Sequence, residues 1–186
     1  MGDEEIFDVI LSYLDFKKIL SDNPEISNDE LNQIISKLRD CLSKEQIIDR
    51  CIHLYVDGAS RGNPGESGIG IIIKDEDGSV LEEDYEYIGI NTNNVSEYKA
   101  LIFALEKAKT LNPAKIKIYS DSKIVVNQIK GVYKVKNPAL IELYWEAVNL
   151  LKNFKSWEII LIAREENKRA DILANMGIGK KDKKEL

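Results

Sequence analysis

The sequence predicts an α/β fold in which helices pack on a mixed sheet, preceded by a small helical segment. Three observations predict it. Residues 1–50 place apolar side chains at helical spacing, and from residue 51 the apolar residues gather into short β-branched and aromatic runs. Those runs alternate with helical stretches in the order β-β-β-α-β-α-α-β-α, which suits a sheet covered by helices.

The elements follow in chain order. Ile6, Val9, Ile10, Tyr13, Leu14 and Phe16 form an amphipathic stripe that ends at Asn23-Pro24, because proline cannot continue a helix. A second helix starts after Ser27, where Ser27 and Glu30 make a capping-box pattern, and it is expected to bury Leu31, Ile34, Ile35 and Leu38. Ser43-Lys44-Glu45-Gln46 reads as a short helix or linker. Two short helices rarely stand alone, so residues 1–50 are expected to dock on the rest of the chain or to bind a protein. The run 51–57 is apolar on both alternating faces, as a central strand is. Runs 69–73 and 80–88 flank the turn dipeptide Asp77-Gly78, which makes these three strands an antiparallel meander. A helix over about 94–110, a strand over 116–120 and a helix over about 121–130 come next. A helix from Asn137-Pro138, a strand over 157–162 and a helix over about 167–176 complete the unit, and the tail from about residue 178 is expected to fray.

Composition narrows the function. With 44% hydrophobic and 31% charged residues among 186, the chain is neither collagen-like nor fully disordered. Its longest stretch without Asp, Glu, Lys or Arg is ten residues, 87–96, against the roughly 20 apolar residues of a membrane span. No membrane association is expected. The acidic start, Asp3-Glu4-Glu5, lacks a signal peptide's positive charge, so the expectation is a cytoplasmic protein. A monomer is expected separately. Cys41 and Cys51 are too few for a disulfide framework or zinc cluster, and read as two buried, reduced thiols. The net charge of −6 would argue against a nucleic-acid partner, but it is unevenly spread. Residues 1–50 hold 12 of the 32 acids and 6 of the 26 bases, leaving 20 of each in residues 51–186. If several of the later acids gather in one site, the surface around them is net basic.

Four acids have neighbours that should bury them. Asp57 closes the apolar run 51–57 and precedes Gly58 and Arg61-Gly62-Asn63-Pro64-Gly65, a segment that lets bare backbone approach a ligand. Glu97 lies four and eight residues before Leu101 and Leu105, on the helix stripe that faces the sheet. Asp121 ends the run 116–120, and Asp171 sits early in the last helix beside Ala170 and Leu173-Ala174. For any one of them the bland alternative is a turn or cap residue. Together they could not all stay ionised without a cation, since like charges and desolvation both raise carboxylate pKa values. Oxygen donors without cysteine or a suitably placed histidine suit Mg2+ or Mn2+ rather than zinc. Two such ions about 3.5–4 Å apart make a phosphoryl-transfer site.

The run Tyr55-Val56-Asp57-Gly58-Ala59-Ser60-Arg61-Gly62-Asn63-Pro64-Gly65 resembles the opening motif of the type 1 ribonuclease H family. Thr92-Asn93-Asn94-Val95-Ser96-Glu97-Tyr98 is similar to its second motif, and Tyr119-Ser120-Asp121-Ser122 to its third. Arg164-Glu165-Glu166-Asn167-Lys168-Arg169-Ala170-Asp171 is similar to its fourth. The likeness covers about residues 51–177, which sets the expected domains: an acidic segment 1–50, a catalytic domain 51–177 and a tail 178–186. What the resemblance implies is a five-stranded sheet in order 3-2-1-4-5 and hydrolysis of the RNA strand of an RNA/DNA hybrid, leaving 3′-hydroxyl and 5′-phosphate ends. It implies Asp57, Glu97, Asp121 and Asp171 as ligands of two Mg2+, with Mn2+ as a substitute. Asp57 would bridge both ions, Glu97 and Asp121 would complete one site, and Asp171 would hold the other ion more loosely.

The resemblance also implies substrate contacts at Gly58, Ser60, Asn63, Asn93, Asn94 and Lys123. Asn93 and Asn94 can present amides to the minor groove, where the 2′-hydroxyl distinguishes RNA, although a helix cap is the plainer role for one of them. Turn formation at Ser60 and Asn63, and simple solvation at Lys123, are the corresponding alternatives. Many members carry a histidine before the fourth acid, but Leu161-Ile162-Ala163-Arg164 stands in that region. Arg164 thus resembles the arginine of a histidine-lacking, archaeal-like branch and could engage the scissile phosphate, or simply form a surface salt bridge. His53, the only histidine, is expected to be a packed core residue. The family's basic protrusion is reduced to a compact stretch with Lys130, Tyr133, Lys134, Lys136, Tyr144 and Trp145. Two other classes share this architecture: a catalytically silent nucleic-acid binder, and a DNA endonuclease or strand-transfer enzyme.

Overall fold

The computed structural model describes residues 3–45 and 48–180, which divide into two compact units, 1–48 and 49–186. The first unit holds α1 (Asp3–Tyr13), α2 (Phe16–Asp22) and α3 (Asn28–Glu45), with α1 against α3. The single stripe expected over 6–16 is broken at Leu14-Asp15, because the Asp15 carboxylate accepts from Lys18 N at 3.1 Å and starts a new helix. The capping box at α3 is present: Ser27 Oγ accepts from Glu30 N at 3.2 Å, and Glu30 Oε2 accepts from Ser27 N at 2.9 Å. Helix α3 also takes up Ser43-Lys44-Glu45, while Gln46 lies outside the described residues. The expected buried face is corrected. Leu31 and Ile35 are half-buried, but Ile34 and Leu38 are 51% and 48% exposed, since three short helices cannot enclose a core. Ile6, Val9, Ile10, Tyr13 and Leu14 are exposed as well. The Cys41 side chain and residues 181–186 of the tail fall outside the described residues.

The second unit is a five-stranded sheet in the order β3-β2-β1-β4-β5. Its strands are β1 (Ile48–Gly62), β2 (Gly65–Lys74), β3 (Val80–Asn91), β4 (Pro113–Ser120) and β5 (Ser156–Leu161). β1, β2 and β3 form the antiparallel meander, with Asp57 opposite Gly70, and β5 runs parallel to β4 with Ile118 opposite Ile159. The helices are α4 (Asn93–Thr110), α5 (Lys123–Ile129), α6 (Pro138–Leu151) and α7 (Lys168–Gly179), with a short 3-10 turn over Arg164–Glu166. The first three strands run longer than their apolar cores, because Gly58, Gly65 and Gly68 continue the ladder where side-chain pattern gives no signal. Glycine at 68, 70 and 177 also lets α7 lie against β2, where any Cβ would meet backbone of the facing element.

Helix α4 is buried through Tyr98, Leu101, Ile102 and Leu105, which pack with Ile52, Leu54, Val56, Ile71, Ile116 and Ile118. Each fully buried aliphatic side chain contributes roughly 1.5–3 kcal/mol, so this core can hold like-charged carboxylates close together at one edge. Cys51 is buried and unpaired, with its thiol pKa raised by burial. His53 corrects its expectation. It is half-buried on the strand surface, its ring 5.6 Å from that of Tyr119, and burial lowers its pKa. Among the described residues no helix is long and apolar enough to cross a membrane.

Candidate active site

Asp57 does not close its strand as expected but lies midway along β1, and Glu97, Asp121 and Asp171 come to it from helix starts and the end of β4. Asp57 lies on central β1, and the backbone of Gly58 beside it runs directly under the first turn of α4. That contact brings Glu97, on the buried face of α4, over the strand. Asp121 follows β4 in extended chain, since α5 begins only at Lys123, capped by the Ser122 hydroxyl that accepts from Val125 N at 3.5 Å. Oxygens of Asp57, Glu97 and Asp121 all lie within 4.8 Å of one another. Asp171, in the first turn of α7, joins them in a cleft of about 260 Å3 that Gly58, Ser60, Asn93, Arg164 and Asn175 also line.

Burial and mutual repulsion dominate the electrostatics. Desolvation first, then the charges of Asp121 and Asp171, push Asp57 up to about 7. Glu97 is raised well above the usual carboxylate range by burial, then by Asp57 and Asp121, while the Gly58 N–H and Arg164 pull the other way. Glu97 Oε2 is buried without a hydrogen-bond partner. An orphaned carboxylate oxygen inside a three-carboxylate cluster fits a divalent cation, whose charge would offset both the repulsion and the lost hydration. Arg164 supplies part of that charge from outside: its Nη2 donates to Asp171 Oδ1 at 2.7 Å, and it is largely exposed.

The other expected residues fall into two groups. Ser60 lines the cleft, and its hydroxyl has the carbonyl oxygens of Gly62 and Asn91 at 2.6 and 2.9 Å. Asn93 lines it too, and its backbone N–H donates to Asn63 Oδ1 at 3.1 Å, so Asn63 fastens the β1–β2 turn to the start of α4. The expected cap at Asn93 or Asn94 is thereby corrected: Thr92 is the N-cap, without a side-chain bond, and the loop amide of Asn63 does the capping. Asn94 is half-buried in the first turn of α4. Lys123 is exposed and is not among the residues that line the cleft. Tyr133, Lys134, Tyr144 and Trp145 instead line a separate groove of about 440 Å3.

Sequence reasoning missed two site residues. Asn167 is 1% exposed, and its Nδ2 donates to Val56 O and Asp121 Oδ1, each at 2.9 Å. Asn175 donates from Nδ2 to the main-chain O of Asp171 at 2.8 Å and to its Oδ2 at 3.4 Å. For Asn175 the signal was its spacing, one helical turn after Asp171.

The raised carboxylates predict a pH dependence. The folded metal-free protein keeps a proton on Asp57 up to about pH 7 that the unfolded chain, at 3.8, has lost. That stabilisation is complete below 3.8 and disappears as pH rises through 7. Between pH 5 and 7 the loss is about 2 kcal/mol. Scanning calorimetry in EDTA is therefore expected to record a Tm lower by roughly 8 °C at pH 7 than at pH 5, with Mg2+ reversing the drop. Equal Tm values at the two pH values would refute it.

The comparisons with known proteins agree with this geometry. Residues 55–177 match the family model described as reverse transcriptase-like. A ribonuclease HI of Halobacterium salinarum is 41% identical over 124 residues, covering 67% of this chain and 62% of that protein. The chain thus spans less than two thirds of that relative. The crystal structure of RNase H1 from the same archaeon superposes with a TM-score of 0.68 at 39% identity, covering 70% of this chain and 98% of that one. The crystal structure of LC11-RNase H1 in complex with RNA/DNA hybrid gives a TM-score of 0.67 at 42% identity, covering 69% and 97%. With the family model over most of its length, the sheet order and the three clustered carboxylates, the chain belongs to the reverse transcriptase-like ribonuclease H family.

Proposed function

We propose that this chain is a metal-dependent endoribonuclease that hydrolyses the RNA strand of RNA/DNA hybrids, leaving 3′-hydroxyl and 5′-phosphate ends. The observation that carries this reading is the convergence of Asp57, Glu97 and Asp121 within 4.8 Å, with Glu97 Oε2 buried and unpartnered. The hybrid bound to LC11-RNase H1, a 42% identical structure, supports the substrate.

Asp57, Glu97 and Asp121 would hold one Mg2+, and Asp57 with Asp171 a second, with Mn2+ as a substitute. Bound there, the metal supplies a water of lowered pKa and charge to stabilise the leaving oxygen. The chain's own residues do the rest. Burial first, and neighbouring carboxylates second, raise the pKa values of Asp57 and Glu97, and a cation held there would lower them again. Arg164 reaches the cleft from its exposed rim and meets the scissile phosphate with a fixed charge. Asn93 and Asn94 read the ribose face of the minor groove, with Gly58 giving close backbone approach and Asn63 holding Asn93 in place. The Ser60 hydroxyl, with carbonyls around it to take its proton, has its oxygen available to accept from a 2′-hydroxyl. Lys123 and the lysines near Trp145 meet phosphates of the DNA strand further along. The reaction belongs in the cytoplasm, where Cys51 stays reduced.

A labelled hybrid incubated with the protein is expected to be nicked in its RNA strand in Mg2+ and to stay whole in EDTA, while an all-DNA duplex stays intact. Binding without cleavage, in Mg2+ or Mn2+, would favour a silent binder; a cut all-DNA duplex would favour a DNA endonuclease. The acidic N-terminal segment is assigned a protein partner, since its apolar stripe is exposed and its charge repels phosphate. Removing residues 1–48 is expected to leave hybrid affinity equal or tighter at low salt, and a large loss of affinity would overturn that assignment.

A further inference from the structure

We propose that Asn167 is a positioning residue that fixes the spacing between Asp57 and Asp121 and so sets the site's affinity for its divalent ion, which rests on the hydrolytic reading above. An asparagine just before a helix ordinarily caps it. Asn167 does not: it precedes α7 but makes no side-chain bond to that helix. Its side chain turns inward instead, buried to 1% exposure, and spans the middle of β1 and the residue after β4. The Nδ2 amide donates to Val56 O, directly before Asp57, and to Asp121 Oδ1, each at 2.9 Å. Both partners are acceptors only, so the orientation of the amide is fixed. The main-chain O of Asn167 accepts from Asp171 N at 3.1 Å, so a single residue ties the middle of β1, the carboxylate after β4 and the start of α7.

The position carries a penalty that an incidental contact would not justify. Asn167 Oδ1 is buried and has no partner, an arrangement usually avoided in protein interiors. What it secures is a clamp across the segments that carry Asp57 and Asp121, whose oxygens lie within 4.8 Å of one another. The amide bond to Asp121 Oδ1 fixes the rotation of that carboxylate beside the cluster.

The test is Mg2+ titration of the full chain by calorimetry, without nucleic acid, beside thermal unfolding and hybrid cleavage across Mg2+ concentrations. Asn167→Leu fills a similar volume without donors, and Asn167→Ser keeps one donor. For Asn167→Leu we expect Mg2+ affinity to fall about 10–100-fold, the usual effect of losing an outer-shell partner. Cleavage at saturating Mg2+ should recover most of the lost rate. Asn167→Ser is expected to lie between the two, at least threefold weaker than wild type, and it decides the matter if the leucine variant does not fold. A lowered Tm with Mg2+ affinity within threefold of wild type would mark Asn167 as merely structural and overturn the proposal. A wild-type chain that binds no Mg2+ and cuts no hybrid would overturn the hydrolytic reading itself, a result distinguishable because it appears before any substitution.

Discussion

Asp57→Asn is expected to abolish hybrid cleavage while making the metal-free protein more stable. The two effects have one cause. Asp57 is 5% exposed, shares the cluster with Glu97 and Asp121, and is pushed up to about 7 by burial and by the charges of Asp121 and Asp171. An amide at the same position keeps the shape, removes one charge from the repelling group and needs no cation. It also removes the carboxylate proposed above to hold the metal. Outer-shell changes typically cost 10–100-fold in metal affinity or activity, so loss of a central ligand should exceed about 10³-fold in initial cleavage rate. In EDTA at pH 7.5 the variant's Tm should rise by several degrees, because about 2–3 kcal/mol of the repulsion is relieved. Its Tm should also lose much of the decline between pH 5 and 7, leaving the share due to Glu97. Calorimetry and a gel assay of labelled hybrid check both halves. Cleavage within tenfold of wild type would remove Asp57 from the centre of the reaction, and an unchanged Tm at pH 7.5 would mean that the cluster is not strained.

The same trade explains which parts of the site were legible in the sequence. Asp57, Glu97 and Asp121 could be picked out because each closes an apolar run of the sequence or stands on the inward stripe of a helix. Charge at such a position is costly, which makes it visible. Asn167 broke no pattern: an asparagine before a helix is ordinary, and its two partners lie 111 and 46 residues away. Only the folded chain brings them together. Asn63 was hidden likewise, since a turn asparagine gives no hint that it caps a helix 30 residues on. The N-terminal segment failed in the opposite direction. Its period named an apolar stripe correctly, but period says nothing about what covers the stripe, and Ile34 and Leu38 are exposed. Sheet order required the resemblance, because alternation marks strands without telling which neighbours they pair with.

Gly58→Ala is expected to lose both stability and activity, in contrast to Asp57→Asn one residue before it. A Cβ on Gly58 would stand under 3.0 Å from the backbone of Ser96 and Glu97. No rotamer change relieves that overlap, because the obstructing atoms are main chain. The first turn of α4 must lift from β1, which opens the tightly packed layer of Val56, Tyr98 and Leu101 and carries the Glu97 carboxylate away from Asp57. Overpacking of this kind costs about 1–3 kcal/mol and occasionally more, and backbone on both sides puts Gly58 at the upper end. A Tm drop of roughly 10 °C follows. Gly78→Ala is the control. Its Cβ meets nothing within 4 Å, and only its φ of +88° is unfavourable to a side chain, so about 1 kcal/mol and unchanged cleavage are expected. If the two alanine variants behave alike, the close approach of β1 to α4 does not position Glu97. If Gly58→Ala alone weakens Mg2+ binding, the Glu97 carboxylate is held in place by the absence of a single carbon on the strand.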